Sequence, residues 1–571
     1  MKRLHELVDT ALGNTDADLV LKNGQVFNVF TGTFVKGDVA IVNGCIAGVG
    51  VYNGRKEIDM AGKYLTPGFI DGHVHIESGM VNPAQFACAV VPNGTTTVIA
   101  DPHEIANVAG LEGIRYMLKA TEQLPLNVYI MLPSCVPATP LETSGATLTA
   151  EELAEFIQHP RVLGLGEMMD YPGVLGKSDT VFAKIGLARG KVIDGHAPGL
   201  TGKALTGYIA AGICSDHECV TPEEATERLA QGMHVMLREG SAARNLLQLL
   251  PAVNQYTVSR CLLATDDRHP ADLLEQGHIN HMVKVAARAG THLAWVLQMA
   301  TINAAKYFGL TELGAIAPGY RADLLVFDNL TEWLPAMVFK DGQLAAENGK
   351  SLFKNFFVED KAVRNTLSLG DIGGEKLRIP ARSARARVIG LVPRQLVTAM
   401  LELAVPVRQG EFVPDPSQDI LKLAVWERHK GSGNVGVGLL QGLGLKQGAI
   451  ASTIAHDSHN LVAVGTNDAA ILRAVKAIEH IQGGLAIVGE KEVLGILPLP
   501  LAGLMTDQDI GTVQRELVRL HKIARSLGVK EEYDPFMTLA FLSLPVIPAL
   551  KLTDKGLVDV SAFQHVPVSL S

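Results

Sequence analysis

The chain has 571 residues, of which 47% are hydrophobic and 19% are charged, and its formal net charge is −9. This length predicts several domains, and the hydrophobic share supports large buried cores, which excludes an intrinsically disordered chain. The negative charge gives no general attraction to nucleic acid or to an acidic membrane surface, so we expect neither as a partner.

The first residues and the cysteines indicate a cytoplasmic protein. Residues 1–9 are charged and polar, unlike a secretory signal peptide, and no apolar run is long enough to span a bilayer. The six cysteines form no Cys-x-x-Cys pair. This spacing argues against a thiolate metal site and favours reduced, mostly buried thiols.

Residues 17–65 predict a small unit of short strands. The strand-like runs are separated by Asn23-Gly24 and Asn43-Gly44, and both pairs suit two-residue hairpin turns. The segment is too short to close a β-sandwich by itself.

A matching strand-rich segment lies much later in the chain. Strand-like runs return at residues 322–327 and 336–342. The simplest account is one β-sandwich domain built from both flanks of an inserted domain. We predict that it comprises residues 1–65 and 321–360.

The inserted region, residues 66–320, predicts an α/β domain with the TIM-like (β/α)8 barrel fold. Apolar strand-like runs alternate there with amphipathic helical stretches, and eight such units fit the length of about 250 residues typical of a barrel. The predicted strands end near His75, Asp101, Pro133, Glu167, His196, His217, Arg238 and Asp266. Chemistry in such barrels lies at the C-terminal ends of the strands, where these polar residues fall.

The last third of the chain predicts a separate C-terminal α/β domain, residues 386–571. Residues 350–385 are charged and irregular, which we interpret as a linker. The pattern beyond them is again βα. We predict strands at residues 388–392 and 486–488 and helices at residues 471–483 and 513–527.

The motif Gly72-His73-Val74-His75 is the most informative feature of the chain. Residues two apart on a strand point to the same side, so both imidazoles can reach one metal ion. Further ligand-type side chains end strands four, five, six and eight: Glu167, His196, His217 and Asp266. Four imidazoles and two carboxylates at one end of a barrel can hold two divalent ions, and Glu167 is placed to bridge them.

Each of these residues also has an ordinary structural interpretation. His196 could be a buried or surface histidine, Glu167 a solvated loop acid, and Asp266 part of a helix N-cap. Their joint occurrence at successive strand ends favours the metal site. Nitrogen and oxygen ligands without a thiolate suit Mn²⁺ or Fe²⁺, and Zn²⁺ would also fit.

A two-metal site predicts a hydrolase, because paired metal ions lower the pKa of water toward neutrality. Asp266 can serve both as a ligand and as the base that accepts the proton of the resulting hydroxide. We place Glu167 and His217 beside Asp266 in the catalytic set. Amide, ester and amidine carbons would all serve as targets of this chemistry.

At these residues the chain resembles the amidohydrolase superfamily. The shared marks are the His-x-His of strand one, single histidines on strands five and six, and an aspartate on strand eight. Many members bridge their metals with a modified lysine on strand four, where this chain has Glu167. Longer stretches resemble the bacterial adenine deaminase family: residues 67–78, 101–108, 265–270, 426–429 and 455–460.

The resemblance implies a reaction in which adenine and water give hypoxanthine and ammonia. A metal-bridging hydroxide would attack C6 of the purine, with two Mn²⁺ or Fe²⁺ ions as cofactors. Asp266 would accept the hydroxide proton and pass it toward the substrate, and the amine would leave as ammonia. We also expect a homodimer.

Four residues are candidates for substrate binding. Glu218 follows a ligand histidine, and Arg238 and Asp267 lie at strand ends seven and eight, although a lone arginine is usually only a solvated charge. His103 belongs to the turn Asp101-Pro102-His103-Glu104. That turn could orient substrate, shuttle protons or bind an extra metal, or it could only cap a strand.

Three histidines of the C-terminal domain carry more acid–base potential than a scaffold needs: His429, His456 and His459. They could close over the barrel mouth or stabilise an interdomain seam, and we favour the seam.

Two other functions stay open from the sequence. One is a cyclic-amide or N-acyl hydrolase of the same superfamily. The other is a non-catalytic scaffold descended from such an enzyme, although scaffolds are expected to lose metal ligands and none is lost here.

Overall fold

The computed structural model describes residues 1–353, 358–393 and 395–570. Residues 354–357, which belong to the predicted β-sandwich and linker, lie outside the described residues. Within the described ranges, no helix combines the length and apolarity needed to cross a bilayer. The domain boundaries predicted from the sequence, residues 1–65 with 321–360, 66–320 and 386–571, stay a proposal.

Strands from both flanks of the central region form one nine-stranded sheet. Leu324–Phe327 pairs antiparallel with Tyr64–Pro67, which pairs in turn with Ala17–Asn28. Helix Lys2–Ala11 precedes the sheet. The strands are Ala17–Asn28, Thr33–Val42, Cys45–Gly50, Gly54–Asp59, Tyr64–Pro67, Leu324–Phe327, Met337–Lys340, Gln343–Glu347 and Lys350–Ser351.

One of the two predicted hairpin turns of this sheet is right and the other is wrong. Asn43 and Gly44 have φ of 52° and 77°, as a two-residue hairpin turn requires, and they separate two antiparallel strands. Asn23 also has a positive φ, 62°, but Asn23 and Gly24 lie inside the single strand Ala17–Asn28. They form a bulge in that strand, because pairing with the same neighbour resumes after the register shift.

The central region is a barrel of eight parallel strands, which confirms the predicted fold class. The strands are Phe69–His75, Thr95–Ala100, Asn127–Leu132, Val162–Met168, Val192–Gly195, Ser215–Asp216, His234–Arg238 and Cys261–Ala264. A short extension, Asp266–Asp267, pairs with Val74 and His75 and closes the ring between strands eight and one. The strands are largely buried, as expected for a parallel sheet covered by helices.

Helices between the strands surround the barrel. The helix Pro222–Ala230 begins with a capping box, in which the Thr221 side chain accepts from Glu224 N and the Glu224 side chain accepts from Thr221 N. The α-helices are Pro83–Val90, His103–Ala120, Ala150–Leu153, Tyr171–Leu175, Asp179–Leu187, Gly202–Ala210, Pro222–Ala230, Leu246–Leu249, Pro270–Glu275, Ile279–Arg288, Leu293–Met299 and Ile302–Tyr307. Short 3-10 turns are Ile76–Gly79, Val91–Asn93, Leu250–Ala252 and Val258–Arg260.

The C-terminal domain contains the predicted strands and helices, but its main sheet is not βα-alternating. Its eight strands pair antiparallel, except that Arg385–Leu391 and Val435–Gln441 are parallel. The strands are Arg385–Leu391, Thr398–Ala404, Ile420–Trp426, Val435–Gln441, Ala449–Ser452, Leu461–Gly465, Gly484–Val488 and Val493–Pro498. Smaller sheets contain Val407–Arg408, Glu411–Phe412, Leu550–Thr553, Gly556–Asp559 and Gln564–His565, and the helices are Asp468–His480, Ile510–Ser526 and Pro535–Leu542.

The stretch interpreted as a linker is anchored rather than free. Residues 358–384 contain two 3-10 turns, Lys361–Val363 and Gly374–Leu377, and no longer helix or strand. Val363 and Leu377 are nevertheless fully buried, and Val363 O accepts a hydrogen bond from Ala502 N of 2.6 Å. This part of the chain therefore packs on the C-terminal domain, because its spaced apolar residues offset the cost of ordering an irregular backbone.

Candidate metal centre

The first barrel strand ends in the two histidines of the predicted metal motif. His73 and His75 are buried, and their Nε2 atoms lie 3.1 Å apart. The backbone carbonyl of Asp101 lies 2.9 Å from His75 Nδ1, and a carbonyl can only accept, so Nδ1 carries the proton. Burial lowers the pKa of His75, but the hydrogen bonds with Asp266 and Glu167 hold it well above its ordinary value; Nε2, which faces these carboxylates, is therefore the nitrogen that would bind a metal ion in exchange for its proton.

Glu167, at the end of strand four, faces two pairs of imidazoles with its two oxygens. Its Oε1 lies 3.7 Å from His73 Nε2 and 3.3 Å from His75 Nε2. Its Oε2 lies 2.6 Å from His196 Nδ1 and 3.3 Å from His217 Nε2. A carboxylate that bridges two cations requires one oxygen for each pair of ligands, and Glu167 has this arrangement.

Asp266, at the end of strand eight, completes the set that we name the Glu167 cluster: His73, His75, Glu167, His196, His217 and Asp266. Its Oδ1 lies 3.1 Å from His75 Nε2 and 3.6 Å from His73 Nε2. Its Oδ2 accepts a hydrogen bond of 2.9 Å from Arg238. The structure thus brings all six predicted metal ligands together at one end of the barrel.

Neighbouring side chains hold the cluster in place. Asp101 Oδ2 accepts from the backbone N–H of Glu167 at 3.0 Å. Asp216 forms a fully buried ion pair of 2.8 Å with Arg228 and accepts from Glu218 N, which fixes the end of strand six. Such supporting hydrogen bonds orient ligands before any metal binds.

The electrostatics of the cluster suit divalent cations. Burial raises the pKa of Glu167, but His196 and the hydrogen bonds from the surrounding imidazoles hold that pKa well below its usual range. Burial lowers the pKa of His196, but the charges of Glu218 and Glu167 raise it to about 9. The pocket therefore stabilises positive charge beside ionised carboxylates.

The residues present fit two metal ions. The ligand atoms of His73, His75 and Glu167 lie within 4.8 Å of one another, and so do those of Glu167, His196 and His217. Buried histidine and carboxylate donors in this number are the ligands that first-row divalent ions take.

Three of the predicted substrate residues adjoin the cluster. Glu218 Oε1 lies 3.5 Å from His217 Nε2, and both Glu218 and Asp266 bind Arg238. Arg238 is only 6% exposed, so it is not the solvated charge of the ordinary interpretation. Asp267 accepts a hydrogen bond from Ser78 next to strand one.

His103, the fourth predicted substrate residue, also lies beside the cluster. Its Nδ1 is 3.4 Å from Glu167 Oε1 and 3.5 Å from Asp101 Oδ1. Its Nε2 is 3.6 Å from Glu104 Oε1. His103 therefore connects the Glu167 cluster to the next residue of its own turn.

Glu104 contacts the C-terminal domain, which sequence reasoning left undecided. Glu104 Oε1 accepts a hydrogen bond of 2.7 Å from His456 Nδ1, and its other oxygen binds His459 Nε2. We name Glu104, His456 and His459 the Glu104 cluster. His429 lies nearby and donates from Nε2 to the Ser458 carbonyl at 2.8 Å. Two of the three histidines thus bind a residue of the barrel, and the role of all three stays a prediction.

The contact between Glu104 and the histidines on either side of Asp457 was not predicted from the sequence. Glu104 received attention only as part of a turn, and Asp457 only as the residue between two histidines. His456 is 352 positions from Glu104, so no local pattern in the sequence indicates that the two residues are in contact.

Comparison with known proteins matches both main parts of the chain. A sequence profile of the amidohydrolase family matches residues 64–372, and a profile of the adenine deaminase C-terminal domain matches residues 395–564. Adenine deaminase 2 of Carboxydothermus hydrogenoformans is 65% identical over 570 residues, with 100% of each chain covered. Adenine deaminase of Desulfatibacillum aliphaticivorans is 48% identical, with 98% of this chain and 99% of that protein covered. A crystal structure of a beta-aspartyl dipeptidase from Fervidobacterium islandicum AW-1 covers 59% of this chain and all of its own, at 21% identity and a TM-score of 0.47.

Proposed function

The chain belongs to the amidohydrolase family and, over its full length, to the adenine deaminases, and on this premise we propose that it hydrolyses adenine to hypoxanthine and ammonia. The observation that carries the proposal is the position of Glu167 between two pairs of imidazoles at the barrel mouth. In the reaction a C6–O bond forms and the C6–N bond of the exocyclic amine breaks; of the two water protons, one goes to the amine that leaves as ammonia and the other to the ring nitrogen next to C6 of hypoxanthine.

Two divalent ions are the proposed cofactors. Their proposed ligands are His73, His75, Glu167, His196, His217 and Asp266. When bound, such ions lower the pKa of a water molecule toward neutrality and so make it a strong nucleophile. Nitrogen and oxygen donors without a thiolate suit Mn²⁺, Fe²⁺ and Zn²⁺, and the two carboxylates favour Mn²⁺ or Fe²⁺ over Zn²⁺.

Asp266 is the proposed proton carrier. Burial raises its pKa, but the hydrogen bonds from His73 and His75 and the charge of Arg238 hold the pKa well below the usual range, so the carboxylate is ionised. It can accept a proton from the attacking water and deliver it to the amine. The amine must be protonated, because an amide anion is too basic to leave. General acid–base catalysis of this kind contributes roughly 10²- to 10⁴-fold.

The remaining predicted residues are proposed to orient the purine. Glu218 lies next to His217 and is held by Arg238, so its carboxyl group can position a ring nitrogen near C6. Asp267 and His103 border the same space from strands eight and two. Glu167 and His217 act with Asp266 on the attacking water.

A substrate panel tests the reaction. Mn²⁺-loaded protein is incubated with adenine, hydantoins and N-acylated amino sugars, and ammonia and ring-opened or deacylated products are measured. We expect ammonia from adenine and no turnover of the others. Hydrolysis of a hydantoin or an acylated sugar without ammonia release from adenine would favour the alternative hydrolase, and less than one bound metal equivalent under replete conditions would favour the scaffold.

We further propose a cytoplasmic, homodimeric enzyme of purine salvage. The six cysteines support a reducing compartment, since all are free thiols. Sedimentation at micromolar concentration tests the dimer, and a monomeric mass would contradict it.

A further inference from the structure

The segment of residues 455–460 reaches from the C-terminal domain to the edge of the barrel mouth. His456 and His459 both bind Glu104, the second residue of the helix that follows barrel strand two. The ring of His456 also stacks on Phe541, with 4.6 Å between ring centroids. Glu104, His456 and His459 are buried and Phe541 is half-buried, so the segment is held in one position against the barrel.

The Glu104 cluster is held by hydrogen bonds and does not have the form of a third metal site. His459 Nδ1 accepts a hydrogen bond of 3.1 Å from Ala455 N, so this nitrogen carries no proton. Burial lowers the pKa of His459 to about 4, which keeps the ring neutral with its one proton on Nε2. Nε2 therefore donates to Glu104, and it has no lone pair to offer a cation.

Asp457 lies between the two histidines and has a buried carboxylate oxygen without a partner in the described part of the chain. It is only 4% exposed, and its Oδ2 has no hydrogen-bond partner among the residues that the structure describes. Buried carboxylate oxygens are normally paired, so this one is suited to accept from a bound molecule.

The surroundings of Asp457 lie on the side of the metal centre. The histidines on either side of Asp457 bind Glu104, Glu104 Oε1 lies 3.6 Å from His103 Nε2, and His103 Nδ1 lies 3.4 Å from Glu167 Oε1. Burial raises the pKa of Asp457 to about 6, so the group is mostly ionised at neutral pH. Across the described ranges, a buried carboxyl group with an unpaired oxygen thus follows a histidine that binds the rim of the barrel mouth, on a different domain from the metal ligands.

We propose that the C-terminal domain completes the active site: Asp457 accepts a hydrogen bond from the five-membered-ring N–H of the purine, and Glu104 positions Asp457 through His456 and His459. The inference rests on the proposed function, because it needs a purine in the barrel mouth. In the proposed reaction C6, on the six-membered ring, faces the Glu167 cluster. The N–H of the five-membered ring is a further donor, and no barrel residue has been proposed to accept from it.

Binding of hypoxanthine, the unreactive product, tests the proposal by titration calorimetry of the Mn²⁺-loaded protein. Unmodified protein is expected to prefer hypoxanthine to 9-methylhypoxanthine, which lacks that N–H, by at least about tenfold, as for a hydrogen bond to a charged group. Asp457→Asn is expected to weaken hypoxanthine binding about tenfold and to leave 9-methylhypoxanthine within about twofold. Glu104→Gln is expected to reduce the same preference while the protein keeps its metal content.

Asp554→Asn is the matched control. Asp554 is another buried carboxylate at the domain interface, where it accepts from Thr143 N at 2.8 Å and its Oδ2 has no partner within the described residues. Hypoxanthine binding by this variant should stay within about twofold of the unmodified protein.

Two results would overturn the inference. One is an Asp457→Asn protein that keeps the full preference for hypoxanthine. The other is equal binding of both purines by the unmodified protein, which decides the question even if the variant fails to fold. Failure of the proposed function itself is distinguishable, because the unmodified protein would then release no ammonia from adenine.

Discussion

Two buried glutamates, Glu167 and Glu104, each bind histidines at the barrel mouth, and they differ in what those histidines can do. His75 in the Glu167 cluster donates from Nδ1 to a backbone carbonyl, which leaves Nε2 free as a ligand. His459 in the Glu104 cluster accepts at Nδ1 from a backbone N–H, which forces the proton onto Nε2. The backbone group at the far ring nitrogen therefore distinguishes a metal ligand from a hydrogen-bond donor, although the side chains are the same.

The largest expected effect comes from breaking the first cluster. Glu167→Gln removes the charge that faces both pairs of imidazoles, so we expect turnover of adenine to fall by at least about 100-fold and bound metal to fall below two equivalents. Ammonia release and elemental analysis measure the two effects. Glu104→Gln is the control for metal content alone and should retain both equivalents; normal turnover by Glu167→Gln would exclude Glu167 as the bridge.

Metal stoichiometry distinguishes the two clusters. Chelator-treated protein should lose activity and regain it with two equivalents of Mn²⁺, because the Glu167 cluster places four imidazoles around two ionised carboxylates, whereas the His459 ring of the Glu104 cluster donates its proton to Glu104. Bound metal should also raise the thermal midpoint, by a stabilisation of about 4 kcal/mol when free metal is 1,000 times Kd. A third tightly bound equivalent that His459→Ala abolishes would contradict our assignment of the Glu104 cluster.

A smaller effect is expected from the second cluster alone. His459→Ala removes one donor from the buried Glu104 carboxylate, which should cost about 1–3 kcal/mol of stability. Urea unfolding followed by fluorescence measures the loss, and it should appear equally in metal-loaded and metal-free protein. A loss confined to the metal-loaded form would indicate that His459 contacts the metal centre.

The ligand cluster could be predicted from the sequence because its signals are local. A two-residue period places His73 and His75 on one side of a strand, and parallel barrel strands bring Glu167 and Asp266 to the same end. Apart from the barrel fold, predicting this cluster required no knowledge of contacts between residues distant in the sequence.

Features that depend on distant contacts could not be predicted. Asn23-Gly24 has the composition of a hairpin turn, and only pairing with a neighbouring strand makes it a bulge. The partners of Glu104 lie in another domain, and the choice of tautomer depends on the backbone of residue 455. The antiparallel sheet of the C-terminal domain was missed because strand and helix periods do not reveal which strands are neighbours.

The ion pair between Glu104 and His456 can form only late in synthesis, because the two residues are far apart in the sequence. Ribosomes add about 5–20 residues per second, so roughly 20–70 s separate the two residues, which are 352 positions apart. A nascent barrel emerges with its metal ligands complete while Asp457 is still untranslated. If Asp457 holds the purine, the chain acquires its full affinity for substrate only near the end of translation.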